Sequence, residues 1–338
     1  MLTYEKQALS GTIEVLLRSE LPDEFEGTKL YGSLEEDELR QDCKIFRLSN
    51  ETGHGRITVY QVFSGIELYY NDMHMGYCNQ NQATAKNMIE INHCLIGRFE
   101  CSFGENSCCY MAEGDLSISS MMKKKSNSCF PLNHYHGISI VINLDELLPE
   151  VRQIMELLNI DLHYIQKYIC EGNRCCIMRA NPSIEHIFSE LYSVPENIRK
   201  GYHKVKVLEL LLFLSGLEYK GESEERRYFS RSQVTAAKEA KRYLLAHLDE
   251  HITITELADM LGISSTSLKI CFKGVYGDTI NGYITNCKMQ KAASLLKNTD
   301  KSVLEIAGIV GYNNGSKFAG AFRRVMNKSP NEYRKSLV

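Results

Sequence analysis

Apolar residues recur along this chain with two different periods, which divide it into a strand-rich part and two helical parts. From residue 44 to about residue 143, short β-branched and aromatic runs alternate with turn-forming residues. We predict strands over residues 43–48, 57–63, 66–70, 88–92, 97–103 and 137–142, with turns at 53–55, 71–72 and 113–115. Many short strands between such turns are typical of a sandwich or a barrel.

Residues 144–219 carry apolar residues at helical spacing instead. The predicted helix faces are Leu147, Val151, Ile154, Leu157 and Leu158, then Ile184, Ile187, Phe188, Leu191 and Tyr192, and then Val205, Leu208, Leu211, Leu212 and Leu217. The third segment is apolar nearly all round, so it either packs centrally or forms a dimer seam, and both interpretations stay open. Residues 220–233 are charged and predict a linker. Residues 1–40 predict a short helix followed by an acidic, loosely patterned stretch.

From residue 234 onward, one helical pattern occurs twice, at an offset of 49 to 50 residues. Each copy starts with a hydroxyl residue followed three positions later by glutamate, which is the spacing of a capping box. These residues are Thr253 with Glu256 in the first copy and Ser302 with Glu305 in the second. Gly262 and Gly311 end the first helix of each copy, and a polar stretch precedes the second helix. Each copy therefore predicts a helix-turn-helix unit.

Residues 234–338 and the rest of the chain carry net charges of opposite sign. The whole chain has a net charge of −3, but residues 234–338 hold 15 Lys and Arg against 9 Asp and Glu. The remaining residues hold 24 basic against 33 acidic side chains. A basic segment in an otherwise acidic chain is the electrostatic footprint expected of a domain that binds DNA phosphates.

The C-terminal segment resembles the DNA-binding domain of the AraC/XylS transcription regulators. The matching runs are Glu305-Ile306-Ala307, Gly311-Tyr312, Ser316-Lys317-Phe318, Ala321-Phe322-Arg323-Arg324 and Ser329-Pro330-Asn331-Glu332-Tyr333-Arg334. Where the family usually has glycine after the second recognition helix, this chain has Asn327, which also tolerates the left-handed region. The resemblance implies two helix-turn-helix subdomains joined by one long helix at about residues 279–297.

The facing of the two second helices predicts which residues contact DNA. In the first copy the exposed candidates are Ser265, Thr266, Lys269, Ile270 and Lys273. Thr266 and Lys269 are the best base-edge candidates, because lysine suits guanine acceptors and the threonine methyl suits thymine. In the second copy the candidates are Asn314, Gly315, Ser316, Lys317, Arg323 and Arg324, with Ala319 and Gly320 on the same face. We predict that the first copy reads bases and that the second mainly contacts phosphates; simple solvated surface is the alternative for Lys273 and Arg324.

The N-terminal runs 91–94, 97–101, 114–116 and 130–137 resemble effector domains of these regulators, which are cupin-like. The candidate ligand residues are His93, Arg98, Tyr110, His134 and His136. His134 and His136 share a side if they lie in a strand, and His93 and His74 are further imidazoles in this region. Because no glutamate stands at the spacing of a cupin metal site, we predict no metal, and pocket, structural and surface roles stay open.

These observations predict an α+β protein in four parts. They are a cupin-like β-barrel or sandwich over residues 1–143, a helical packing or dimerisation segment over 144–219, a linker over 220–233 and a DNA-binding domain over 234–338. The predicted function is sequence-specific transcription regulation controlled by a small-molecule effector. Control by a protein partner, or by thiol or metal sensing, is the alternative. The expected partners are double-stranded DNA, a second copy of the chain and, for an activator, RNA polymerase.

Several classes of protein are not expected. No nucleophile–base arrangement supports an enzyme, and no cofactor is predicted. The N-terminus is polar and lacks a signal peptide pattern, and the longest apolar run, residues 207–217, is too short to span a bilayer. We therefore expect a cytoplasmic protein without a membrane partner. The 12 cysteines contain no CxxC spacing and are expected to be reduced and mostly buried.

Overall fold

The protein forms two compact units, one ending at Tyr228 and the other starting at Phe229. The structure, a computed structural model, describes residues 35–39, 43–80, 87–103, 107–120, 126–169, 175–217 and 228–336. The short helix predicted near the N-terminus and most of the predicted linker lie outside these residues. Within them, no helix is both long and apolar enough to cross a membrane.

The first unit contains two antiparallel sheets. The larger sheet comprises β1 (Glu35–Leu39), β2 (Lys44–Asn50), β3 (Gly53–Phe63), β4 (Ile66–His74), β6 (Met88–Gly97), β9 (Leu116–Ser120), β11 (Tyr135–Asn143) and β12 (Cys176–Met178). Its strand order is β1-β2-β3-β4-β11-β6-β9-β12. The second sheet has β8 (Ser107–Met111), β7 (Phe99–Phe103), β10 (Ser126–Cys129) and β5 (Tyr77–Gln80) adjacent in that order. Over the described strands the sheets stay open, so they do not form the closed barrel of one predicted alternative.

The larger sheet has a core on each of its faces. One core is shared with the second sheet and includes Met73, Cys94 and Met111. The other is shared with helices and includes Ile91 and Ile140, both fully buried. Of the eleven described cysteines all are free and nine are buried, and several pack between the sheets as small apolar side chains.

The helices of the first unit pack on the larger sheet. They are α1 (Pro149–Leu157), α2 (Leu162–Tyr164) with a following π-helical turn (Ile165–Ile169), α3 (Pro182–Leu191), a 3₁₀ turn (Glu196–Ile198) and α4 (Arg199–Ser215). α4 packs centrally through a face that includes Val207 and Leu210, whereas Val205 and Leu212 of the predicted face are 62% and 46% exposed. A segment that is apolar nearly all round contains no periodic signal that selects its buried side.

Two sequence predictions in this unit are wrong. Residues 53–55 and 71–72 are not turns, because they lie inside β3 and β4, which pair with each other along their length. Gly53 and Gly55 are instead needed for close strand contact: a Cβ at Gly53 would lie 2.0 Å from the His74 carbonyl oxygen. The predicted helical region also contains a strand, β12, which pairs with β9.

The second unit is helical after a two-residue strand, β13 (Phe229–Ser230). Its helices are α5 (Arg231–Ala246), α6 (Ile254–Met260), α7 (Ser265–Tyr276), α8 (Ile280–Asn298), α9 (Val303–Ile309), α10 (Gly315–Met326) and α11 (Pro330–Lys335). α5 thus begins inside the residues that we assigned to the linker. The long helix α8 packs against α7 and against α9, α10 and α11. Met289 and Ala292 of α8 are fully buried in the core of the second copy.

Candidate functional site

The duplicated pattern forms two helix pairs, α6 with α7 and α9 with α10. Both first helices begin with a complete capping box, as their spacing predicted. In the first, the Thr253 hydroxyl accepts a hydrogen bond from the Glu256 backbone N–H, and the Glu256 carboxylate accepts one from the Thr253 N–H. Both turns contain a left-handed glycine, Gly262 with φ of 64° and Gly311 with φ of 76°.

The two pairs have equivalent cores. The fully or almost fully buried side chains of the second helices are Leu268, Cys271 and Phe272 in α7, and Phe318, Ala321 and Phe322 in α10. Their left-handed ends are equivalent too, because Gly277 ends α7 with φ of 82° and Asn327 ends α10 with φ of 57°. These buried residues determine which side of each helix faces solvent.

The structure exposes the predicted face of α7. Thr266, Lys269, Ile270 and Lys273 are exposed, and Ser265 is half-buried. Thr266 lies three and four positions before Lys269 and Ile270, and Lys273 lies four and three positions after them, so the four exposed residues form one surface. That surface combines two ammonium groups with a threonine and an isoleucine side chain.

On the equivalent face of α10, several positions hold residues with little or no side chain. Ser316, Lys317, Gly320, Arg323 and Arg324 are exposed, whereas Gly315 and Ala319 are half-buried. At an offset of 50 residues, Lys269 corresponds to Ala319 and Ile270 corresponds to Gly320. Asn314 caps α10, since its side-chain oxygen accepts a hydrogen bond of 2.9 Å from the Lys317 N–H. The long exposed side chains on this helix, those of Lys317, Arg323 and Arg324, are all cationic.

One lysine of the second unit is buried and does not belong to this surface. The ammonium of Lys241 in α5 lies 5.1 Å from the ring centre of Tyr276 and 5.8 Å from that of Tyr283. Burial lowers the pKa of Lys241 to about 8. A cation over aromatic rings offsets part of the cost of removing its charge from water.

The five predicted ligand residues occupy three separate environments, the first of which is helical packing around His93. The His93 ring stacks on Phe188 with centroids 4.1 Å apart, and its Nδ1 lies 3.2 Å from the Tyr192 hydroxyl. Burial lowers the pKa of His93 to about 4, so the ring is neutral at pH 7. These contacts favour a structural role for this histidine.

Arg98 and Tyr110 form the second environment. The Tyr110 hydroxyl donates a hydrogen bond of 2.8 Å to Glu100 Oε2. Burial lowers the pKa of Arg98, while the negative charge of Asp115 acts in the opposite direction. Both predicted residues are thus involved in polar interactions within the sheet unit.

His134 and His136 form the third environment, together with Asp72 and His74 of β4. His74 was named only as a further imidazole, and Asp72 was assigned to a turn. Asp72 Oδ1 lies 3.0 Å from His74 Nε2 and 3.2 Å from His136 Nε2. His134 Nδ1 lies 3.3 Å from His74 Nδ1. The repeated spacing Asp72-x-His74 and His134-x-His136 was the signal that could have predicted this cluster.

The histidines of this cluster differ in their electrostatic environment. The hydrogen bond to Asp72 raises the pKa of His74, whereas burial and the neighbouring imidazoles lower the pKa of His134 to about 4. Burial also lowers the pKa of His136. For Asp72, burial opposes ionisation, but the hydrogen bond from His74 and the nearby histidines outweigh it and lower the pKa.

The second unit matches known proteins. A family model described as a helix-turn-helix domain matches residues 257–336. The xylose operon regulatory protein of Escherichia coli K12 is 34% identical over 96 residues, which cover 28% of this chain and 24% of that protein. An AraC-like transcription regulator of Streptomyces lividans is 34% identical over 83 residues, which cover 25% and 27%. The solved C-terminal domain of AraT, a response regulator from Geobacillus stearothermophilus, is 32% identical, with a TM-score of 0.29, and the match covers 30% of this chain and 84% of that one.

The two capped helix pairs and the matching family model define the class of this chain, which is a protein with a helix-turn-helix domain. Over this domain the chain is similar to AraC-type transcription regulators. The matched segments span only about a quarter of the length of the two curated relatives.

Proposed function

We propose that this chain is a sequence-specific transcription regulator that binds double-stranded DNA with both helix pairs. The observation that carries this proposal is the exposed side of α7, where Thr266, Lys269 and Lys273 stand on a helix whose other side is fully buried. A helix of this kind fits the major groove, and two units on one chain contact neighbouring groove segments about one turn apart.

The two helix pairs differ in their proposed roles. Lys269 on α7 donates to guanine acceptors, while its counterpart Ala319 on α10 has no donor. On α10, Lys317, Arg323 and Arg324 neutralise phosphates, which adds affinity but little sequence information. The first pair therefore reads bases, and the second pair holds the DNA backbone.

The substitution Lys269→Ala tests this asymmetry, because it gives the first pair the residue that the second already has at Ala319. The target sequence is first selected from randomised duplexes with the full chain. We expect Lys269→Ala to lose about 1–3 kcal/mol of discrimination at one or two base pairs. Ser316→Ala is expected to change discrimination little, and Arg323→Ala to lower affinity for all sequences alike.

Lys297→Ala serves as the control, because Lys297 is an exposed lysine on α8 outside both helix pairs. Equal losses of base discrimination in Lys269→Ala and Ser316→Ala would contradict the division of roles. Failure to select any preferred sequence would contradict the proposed function itself.

The sheet-rich unit is the proposed receiver of the signal that controls DNA binding. Its two sheets with a shared core support the cupin-like assignment, and a small-molecule effector remains the leading proposal for its ligand. Since His93, the pair Arg98 and Tyr110, and the pair His134 and His136 lie in three separate environments, we do not assign all five predicted residues to one effector site. Genomic binding profiles with and without candidate extracts would identify the operons and, through them, the effector.

Regulation requires that the effector bind two states of the chain with different affinity. The proposed regulator acts as a homodimer, and the exposed apolar residues of α1 and α4 support this. They include Leu157 at 77% exposure and Val205 at 62%. RNA polymerase would be a further partner if the chain is an activator.

A further inference from the structure

The histidine cluster of the first unit is produced by strand register. β4 and β11 are antiparallel neighbours, and their pairing places Asp72 directly opposite His136. Residues two apart on a strand share a face, so His74 lies on the same side of β4 as Asp72. His134 directly precedes β11, and its ring centroid lies 4.5 Å from that of His136. Residues about sixty positions apart in the chain thus meet on one face of the larger sheet.

Nitrogen atoms of the three histidines lie as close to one another as the ligand atoms of a single metal ion do. One nitrogen from each of His74, His134 and His136 can be chosen so that all three lie within 4.8 Å of one another. Zinc–nitrogen bonds of about 2.0–2.1 Å in a tetrahedral site place two nitrogens roughly 3.3 Å apart. The two Nδ1 atoms of His74 and His134 are 3.3 Å apart.

We propose that His74, His134 and His136 bind a divalent late first-row transition metal ion, with Zn²⁺ as the ion used to test it. Three neutral imidazoles are a donor set that suits zinc, copper and nickel, whereas Mg²⁺ and Ca²⁺ prefer oxygen ligands. Three protein ligands leave the fourth tetrahedral position for water or another small ligand.

Asp72 acts on the rings of this site and not on the ion itself. Its Oδ1 lies at hydrogen-bond distance from Nε2 of His74, which leaves Nδ1 of that ring facing His134. A carboxylate that holds the outer nitrogen of a metal-bound histidine fixes the orientation of the ring and makes it a better ligand. The same oxygen lies 3.2 Å from Nε2 of His136, so one carboxylate contacts two rings of the cluster.

The site is accessible to an ion from solvent. The His74 side chain is 38% exposed and that of His136 is 24% exposed. His54 adds a fourth imidazole nearby, since its register partner is His74 and the two ring centroids are 5.6 Å apart. It is not one of the three donors that lie within 4.8 Å of one another.

Titration of the full chain with ZnCl₂ in a calorimeter, after removal of metals with a chelator, tests the proposal directly. We expect one ion per chain. His134→Ala and His136→Ala should each lower the affinity at least 100-fold, and Asp72→Asn should lower it about 10- to 100-fold. His186→Ala is the matched control, because His186 is exposed in α3 of the same unit and should leave the affinity unchanged.

Substitution of Co²⁺ for Zn²⁺ identifies the ligands by visible absorption. A four-coordinate spectrum without a thiolate-to-cobalt charge-transfer band is expected from three imidazoles. A charge-transfer band would mean that cysteines hold the ion, and it would overturn the proposal. Circular dichroism of each variant shows whether its fold is intact, and Asp72→Asn and His136→Gln supply variants with the smallest change in shape.

Stoichiometric zinc binding that survives His134→Ala and His136→Ala, or no binding to the folded chain, would also overturn the proposal. The proposal goes beyond the DNA-binding function and does not rest on it, because the calorimetric result is obtained without DNA. A chain that binds zinc but no preferred DNA sequence would contradict only the proposed function.

Discussion

At the scale of single residues, the same side chain has different roles in different places. Lys269 is exposed on α7, whereas Lys241 is buried beneath two tyrosine rings. In the sequence both lysines lie in amphipathic helical segments, and only the packing of α5 shows that Lys241 is buried. Among the histidines, His93 is part of a core, while His134 and His136 contribute to a cluster of donors.

Burial of Lys241 has a consequence for stability at alkaline pH. In the folded chain burial lowers the pKa of Lys241 to about 8, whereas in the unfolded chain the pKa is that of an ordinary lysine, about 10.5. Between these two pH values the unfolded state binds more protons than the folded state. The free energy of unfolding therefore increases as the pH rises through this range.

We expect the substitution Lys241→Met to remove this rise. The difference in unfolding free energy between wild type and Lys241→Met should increase by on the order of 1 kcal/mol from pH 8 to pH 9, in favour of the wild type. Urea denaturation at both pH values measures it, with the exposed Lys297→Met as control. An unchanged difference would show that Lys241 is not deprotonated in the folded chain over this range.

At the scale of elements, the two helix pairs show how a local pattern and its surroundings contribute separately. Their capping boxes and left-handed glycines are equivalent, and both were predictable because they depend on residues within a few positions. The surroundings of the two turns differ. A Cβ at Gly311 would lie 2.7 Å from the Asp249 carbonyl oxygen, whereas a Cβ at Gly262 would meet nothing within 4 Å.

The two glycines therefore form a matched pair for substitution. Gly262→Ala should destabilise the chain by about 1 kcal/mol, the ordinary cost of a left-handed alanine. Gly311→Ala should cost roughly 1–3 kcal/mol more, because the backbone around Asp249 must move. Chemical denaturation of both full-length variants gives the comparison, and equal losses would mean that the turn of the second pair is free to adjust.

At the scale of the whole molecule, the main property is the opposite net charge of the two parts of the chain. The chain is acidic overall, with a net charge of −3, but its second unit is basic. A basic domain on an acidic chain attracts DNA locally, and the released counterions make the affinity strongly dependent on salt.

Removal of two cations from α10 should reduce this dependence in a predictable way. For Arg323→Ala with Arg324→Ala, the slope of log affinity against log salt concentration should become less steep by about 1.8. Base preferences should remain those of the wild type, because the proposed base-reading residues stand on α7. Fluorescence anisotropy at several salt concentrations measures both, and altered base preference would place α10 among the reading elements.

The sequence by itself determined the features that depend on neighbouring positions. Helical period, capping spacing and left-handed glycines are local, and they were enough to predict the helix pairs and the exposed side of α7. The long helix near residues 279–297 was predicted from the family resemblance of the C-terminal segment. Strand periodicity also predicted a sheet-rich first part.

The tertiary structure decided what depends on contacts between distant residues. The buried side of α4, the strand at β12 and the function of Gly53 in strand contact could not be predicted, because each requires knowledge of a partner element. The same holds for Asp72 and His74, which join His134 and His136 only through the register of β4 with β11. Side chains two apart predictably share one face of a strand, but the strand beside it is selected by the packing of the whole sheet.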